Sequence, residues 1–337
     1  MAARQSNIEL LRIIAMMMVL FLHANGAIGP FVQLSDTHNG VEEFVRLFLE
    51  IACVVSVNAF IMISGWFGIK PSVKGICSLF FQLIFYGLII ALVYRISGRA
   101  PVSLKETFLS CLGITYWFIP AYVILYILSP FLNSFLDNAP KNTLGVLIVA
   151  YFVAQLVYGR FGDQGHFHAG YSALSFVGLY LAAGYLKRYP FRASSLSSGV
   201  DFCIYGLLTL ATSLLGFFIG GRILTGSHSV LAYNNPLIIL STFFFFLGFS
   251  KLRFQSKAIN WIASSAFAIY LIHMNHLVKI DYRMLMSDLY HNNSPIIGAL
   301  MIFVAVILVG AFCVLVDKIR VFTWQQINKI INTRDSK

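Results

Sequence analysis

Long stretches without Asp, Glu, Lys or Arg recur along the chain, and they predict its elements almost directly. The uncharged runs are Ile13–Ser35, Ile51–Ile69, Gly75–Tyr94, Thr107–Leu136, Asn142–Gly159, Gln164–Leu186, Phe202–Gly221, Ile223–Ser250, Ala258–Val278 and Leu289–Val316. A helix needs roughly 20 apolar residues to cross a bilayer, and only helices or closed barrels satisfy their backbone there. The pattern therefore predicts an all-α integral membrane protein, a bundle of about ten transmembrane helices between residues 8 and 320. The fourth run contains Pro120 and Pro130 and has room for a kink or an interfacial turn. No internal repeat and no soluble segment interrupts the pattern, so residues 1–337 read as a single membrane domain. The longest connections on the outer side are near Gly26–Glu43, Arg95–Glu106 and Lys279–Ser294.

The few charges orient this bundle. With the N-terminus inside, the inner segments carry Arg4, Arg12, Lys70, Lys74, Lys141, Lys187, Arg188, Arg192, Lys251, Arg253, Lys257, Lys318, Arg320, Lys329, Arg334 and Lys337. The outer segments carry half as many: Arg46, Arg95, Arg99, Lys105, Arg160, Arg222, Lys279 and Arg283. Basic residues gather on the cytoplasmic side, so both termini are expected there. An apolar run behind Arg4, with Ala24 to Gly26 beyond it, loosely resembles a cleaved signal peptide. Glu9 and Arg12 interrupt that pattern, and the first span is expected to be retained.

Composition narrows the function. The chain is 58% hydrophobic and 11% charged, against roughly 25% charged in soluble domains. That excludes a soluble enzyme and, equally, a disordered chain. The net charge of +11 sits in short gaps between apolar runs, with no base-stacking motif, so no nucleic-acid partner is expected. Cys53, Cys77, Cys111, Cys203 and Cys313 lie far apart with no CxxC pair, so they indicate neither a zinc site nor a disulfide framework.

The first span carries the clearest candidate chemistry. Glu9, Arg12 and His23 share it, and eleven residues separate Arg12 from His23. At about 100° per residue the two fall within roughly 20° of one face, with a rise of roughly 16 Å. Arg12 is then at the cytoplasmic mouth, with Glu9 one turn away to hold its guanidinium. His23 lies inside the membrane, where an ionisable group marks a functional site by default. Its bland alternative is a hydrogen bond to a neighbouring helix.

The segment Asn7-Ile-Glu-Leu-Leu-Arg-Ile-Ile-Ala15 followed by His23 resembles the signature of acyltransferase family three, bacterial multi-pass O-acyltransferases of surface polysaccharides. Phe60–Gly65, Tyr116–Tyr122 through Ser129–Asn133, and Ala268–His273 resemble further family segments, in the expected order from residue 7 to about 276. The resemblance implies an acyl-coenzyme A donor on the cytoplasmic side, acetyl being the expected acyl group, and no resident cofactor. It places His23, Arg12 and Glu9 in the catalytic site. It also implies donor phosphates held by Arg12 and by the pair after the second span. The family's Arg-x-x-Arg is here only Lys70 and Lys74, point charges that positive-inside topology explains equally well.

His23 has two open roles, general base on a hydroxyl or acyl carrier as an acyl-imidazole, and the first needs imidazole alone. Trp117, Tyr116, Asn58, Ser64, Tyr270 and His273 are candidate substrate-binding residues. Against that, Ser64 with Gly65 suits close helix packing, Asn58 suits interhelical bonding and Tyr116 with Trp117 suits an interfacial belt. His273 and His276 share a helix face, but no acidic or Cys partner is near in sequence, so no metal is expected. Arg46 and Glu50 form an i,i+4 pair, His166 and His168 sit in a loop, and Arg95, Arg99 and Lys105 are outer charges near the expected acceptor side.

The expectation is an acyl-CoA-dependent O-acetyltransferase of the bacterial cytoplasmic membrane. Its acceptor is a hydroxyl of a cell-surface or exported glycan, or of a lipid-linked sugar. A transporter or glycan flippase is the rival. A flippase explains the spans and buried polar groups equally well but gives no reason for the register of Arg12 and His23.

Overall fold

The computed structural model describes residues 4–31, 40–162, 165–191, 195–219 and 229–334, without the side chains of 161 and 327–334. Of the basic residues that orient the chain, Arg192, Arg222 and Lys337, and the side chains of Lys329 and Arg334, lie outside the described residues.

Thirteen α-helices follow one another, with no strand among the described residues. They are α1 (Ser6–Ile28), α2 (Gly40–Phe67), α3 (Val73–Ser97), α4 (Leu104–Cys111), α5 (Phe118–Asn138), α6 (Lys141–Ala154), α7 (Ala173–Arg188), α8 (Ser198–Ile219), α9 (Pro236–Ser250), α10 (Lys257–Ala263), α11 (Ala266–His273), α12 (Val278–His291) and α13 (Pro295–Arg334). Among the described residues seven are long and apolar enough to cross a membrane, or eight if the pair broken between α11 and α12, bent by 89°, counts as one span. This falls short of the ten uncharged runs. The runs Gln164–Leu186 and Ile223–Ser250 hold helices of only 16 and 15 residues, α7 and α9.

The outer surface is apolar. Ile84, Leu88 and Leu92 on α3, Val146, Val149 and Val153 on α6, and Leu300, Phe303, Leu308, Phe312 and Leu315 on α13 are all exposed. A soluble monomer does not carry apolar faces of that extent, whereas lipid solvates them. α1 is the central element and packs on α2, α9, α10, α11, α12 and α13.

Local chemistry fixes the helix ends. Ser72, Ser172 and Ser256 accept the Gly75, Ser175 and Ile259 amide protons at 3.0, 3.2 and 3.3 Å, capping α3, α7 and α10. Asn7 uses its two amide protons on the carbonyls of Phe249 and Ser250, at 3.1 and 3.2 Å. Both carbonyls belong to the last turn of α9, so the start of α1 helps to terminate another helix. In the fourth run, α4 ends at Cys111 and α5 starts at Phe118, with Pro130 inside α5.

Gly65 is required by packing. A Cβ there would meet the Tyr180 carbonyl oxygen at 2.2 Å, because α2 and α7 approach backbone to backbone. The Ser64-Gly65 step thus gives close contact, and Ser64 folds its hydroxyl back onto Phe60 O at 3.0 Å.

Candidate active site

A cavity of about 790 Å³ runs through the bundle along α1. Arg12, Met16, Val19 and His23 all line it. Their spacing of four, three and four residues is one helix face, so the register expected between Arg12 and His23 holds. From α2 come Glu50, Val54, Val57 and Ser64, another single face.

His23 is half-buried and meets His273, which is 0% exposed. His23 Nδ1 and His273 Nε2 are 2.9 Å apart, and His273 Nδ1 is 2.5 Å from Ile269 O. A carbonyl only accepts, so His273 Nδ1 carries a proton. A neutral His273, as full burial favours, then has a bare Nε2. It follows that His23 Nδ1–H donates to it and that His23 Nε2 is bare. That nitrogen has no protein partner among the described residues, and His23 lines the cavity. The pair therefore presents one basic lone pair to the cavity, with its tautomer fixed by a backbone carbonyl.

The break after α11 makes this possible. Asn275 Oδ1 accepts the Leu277 amide proton at 3.1 Å, and its amide donates to Ser110 Oγ at 3.2 Å, so the turn is held on both sides. Tyr282, beyond the break, packs its ring 5.7 Å from His273 and donates to Leu20 O at 2.9 Å. His276 lies past the end of α11, away from the pairing. Among the described residues no three His, Cys, Asp or Glu side chains gather to hold a metal ion.

The family model for the acyltransferase domain of acyltransferase family 3 matches residues 5–315, nearly the whole chain. The chain belongs to acyltransferase family 3. No match was found among curated proteins or among solved structures. It is a multi-pass membrane acyltransferase, and the transporter reading gives way to that.

Toward the start of α1 three arginines line the acyltransferase's cavity, Arg4, Arg12 and Arg320. Glu9 holds Arg12 at 2.9 Å, as expected. Arg4 donates to Asn260 O at 3.0 Å. Arg320, 5% exposed, is gripped by Asp317 through Nε at 2.5 Å and one amino group at 3.1 Å, and Tyr86 donates to the same carboxylate at 2.5 Å. Sequence reasoning counted Arg320 only as a topological charge. An i,i+3 Asp–Arg pair at the end of the uncharged run Leu289–Val316 was the available signal. Lys70 and Lys74, expected at the donor phosphates, are exposed and do not line the cavity, although Gly75 does.

At the other end the walls are aromatic. Trp117 lines the cavity, as do Tyr171, Tyr233 and Tyr270. The Trp117 ring lies 4.6 Å from Tyr171 and 5.9 Å from Tyr233, and Tyr171 lies 4.7 Å from Tyr233. Gly170, at φ +97°, lets these loops meet, since a Cβ there would sit 2.5 Å from Tyr233 Cβ. Two expected substrate contacts fall elsewhere. Tyr116 is buried outside the cavity, donating to Leu271 O at 3.0 Å. Asn58 donates to Tyr233 O at 2.9 Å and holds the aromatic loop without itself lining the cavity.

The expected Arg46–Glu50 pair is also different. Arg46 bridges Glu43 at 2.9 Å, and Glu50 instead accepts from Asn25 Nδ2 at 2.8 Å and lines the cavity. Glu50 was missed as a site residue. Its place on the Val54–Val57–Ser64 face was legible, but the i,i+4 spacing to Arg46 drew it into the wrong partnership. Arg99 bridges Asp281 at 3.2 Å, so it has a partner within the protein. His166 and His168 are exposed loop residues with φ of 56° and 47°.

Proposed function

We propose that this acyltransferase moves an acetyl group from cytoplasmic acetyl-CoA to a hydroxyl of a surface or exported glycan, free or lipid-linked, in the bacterial cytoplasmic membrane. The observation that carries the reading is the bare Nε2 of His23, in a cavity whose far end is lined by three arginines.

His23 Nε2 takes the proton of the acceptor hydroxyl as its oxygen attacks the thioester carbonyl carbon. The tetrahedral adduct collapses, the C–S bond breaks, and His23 returns the proton to the departing thiolate. While His23 is charged, its Nδ1–H bond to His273 Nε2 becomes charge-assisted and stronger. An acyl-imidazole at Nε2 would use the same bare nitrogen, but general-base transfer needs no further group. The donor's phosphates meet Arg4, Arg12 and Arg320, and Lys70 and Lys74 raise the positive potential outside that mouth. The roughly 16 Å between Arg12 and His23 leaves length for the pantetheine arm. Ser64, Trp117 and Tyr270 line the path, and the reaction needs no resident cofactor.

Arg12→Ala is expected to raise the KM for acetyl-CoA by about tenfold, because a charge-assisted phosphate contact is lost. Steady-state kinetics with varied donor check it, and an unchanged KM and rate would leave Arg12 with a topological role only. In this reading both termini are cytoplasmic. A reporter active only outside the membrane, fused after residue 337, should then be silent, and a strong signal would overturn the orientation. The function itself is tested by mass spectrometry of the surface glycan with and without the protein. Loss of acyl mass is expected. Unchanged acylation with glycan retained inside the cell would contradict it.

A further inference from the structure

We infer that Glu50 is the acceptor-selecting residue of the cavity: its carboxylate takes a hydrogen bond from a second hydroxyl of a neutral sugar whose face rests on the Trp117, Tyr171 and Tyr233 rings. The inference rests on the acyl transfer proposed above and names the chemistry of its acceptor.

Glu50 is 9% exposed and is the last charge of α2, immediately before its uncharged run from Ile51. A carboxylate is expensive there and persists when it does something. Its packing role is light, because Asn25 donates to only one of its oxygens, Oε2, at 2.8 Å. Arg46, the nearest basic residue on its own helix, is engaged by Glu43 and by the Gly29 carbonyl at 3.0 Å. Glu50 is therefore held in orientation but not bridged by any described cation, and it lines the cavity that His23 lines. The link to His23 is short in the chain, because Asn25 follows His23 by two residues on α1.

The rings complete a sugar site. A pyranose has C–H faces that pack on aromatic rings and hydroxyls that donate to acceptors at its edge. Three mutually contacting rings beside one carboxylate supply both. Tyr171 is 45% exposed and lines the cavity, so the ring cluster is accessible to an acceptor. Glu50 lies fourteen residues before Ser64 on α2, a separation of roughly 21 Å along the helix. The acceptor thus enters from the end opposite the arginines. With one hydroxyl at His23 Nε2 and a neighbouring one on Glu50, a single position on the ring is acylated. When Glu50 is ionised, its charge repels a sugar carrying its own carboxylate, which is selection by exclusion.

The test uses the full-length protein in membranes, acetyl-CoA, and glycan fragments from cells lacking the protein. One sample stays neutral and a second has its primary hydroxyls oxidised to carboxylates. Glu50→Gln keeps a carbonyl for Asn25 while removing the charge. It is expected to raise the KM for the neutral fragments by about tenfold with a smaller change in kcat. It should also raise the rate ratio of oxidised to neutral fragments by about tenfold. Trp117→Leu leaves the Asn25 bond untouched and should raise the same KM without changing the charge ratio. If Glu50→Gln leaves both KM and charge ratio within about twofold of wild type, Glu50 only holds Asn25 and the inference is overturned. If the charge ratio stays fixed while the protein merely loses yield, it is overturned as well. If the wild-type protein acetylates no fragment at all, the transfer reading falls first, and this inference with it.

Discussion

Replacing His23 by Gln is expected to lower acyl transfer on the order of 10²–10⁴-fold, the usual contribution of a positioned base. Glutamine can still donate a hydrogen bond to His273 Nε2, so the contact between α1 and α11 survives. What disappears is the bare nitrogen that accepts the hydroxyl proton. His23→Ala removes both and should be no more active. Both variants should reach the membrane, because the rest of α1 is bound through Ser6, Asn7 and its apolar faces. Glycan acylation in cells at matched membrane abundance checks this. Near-normal acylation by the glutamine variant would make His23 a bond between helices and move the base to His273.

The second large effect belongs to His273, which positions His23 without touching the substrate. His273→Ala leaves His23 Nδ1–H without its acceptor and lets the ring take the other tautomer, in which Nε2 carries the proton. A wrongly held tautomer costs up to ~10⁴-fold when the orienting group is a buried carboxylate. Neutral imidazole stabilises the charged state of His23 less, so a loss of roughly 10²-fold in kcat is expected here, with the KM for acetyl-CoA unchanged. His273→Gln, whose carbonyl can accept from His23 Nδ1–H, should recover to within about tenfold of wild type. Kinetics on membranes with both variants decide it. Equal activity of the alanine and glutamine variants would show that the pairing does not set the tautomer.

What the sequence made legible was whatever a single helix determines. The Arg12–His23 register, the Glu9 clamp on Arg12 and the close packing at Gly65 follow from spacing or residue size, and all three are present. The partner of His23 was not legible, since 250 positions separate it from His273 and only the packing of α11 on α1 joins them. The break between α11 and α12 was hidden because the run Ala258–Val278 is uncharged throughout, and Asn275 turns the chain with neutral hydrogen bonds. The runs that hold the short helices α7 and α9 read as full spans for a related reason. Tyr171 and Tyr233 lie in loops ahead of them and face the cavity, so those loops are as uncharged as a span. Lys70 and Lys74 carry a role by residue resemblance alone; both are exposed and lie outside the cavity lining.

The most direct measurement follows labelled acetyl groups. Purified protein is reconstituted in liposomes, given acetyl-CoA labelled in the acetyl group, and supplied with glycan fragments from cells lacking the protein. Free thiol and labelled glycan ester are then counted together, for wild type and for His23→Gln. The account predicts one ester formed for each thiol released by the wild-type protein, and neither product above background with the variant. Thiol release without ester, or ester formation that survives loss of His23, would contradict it.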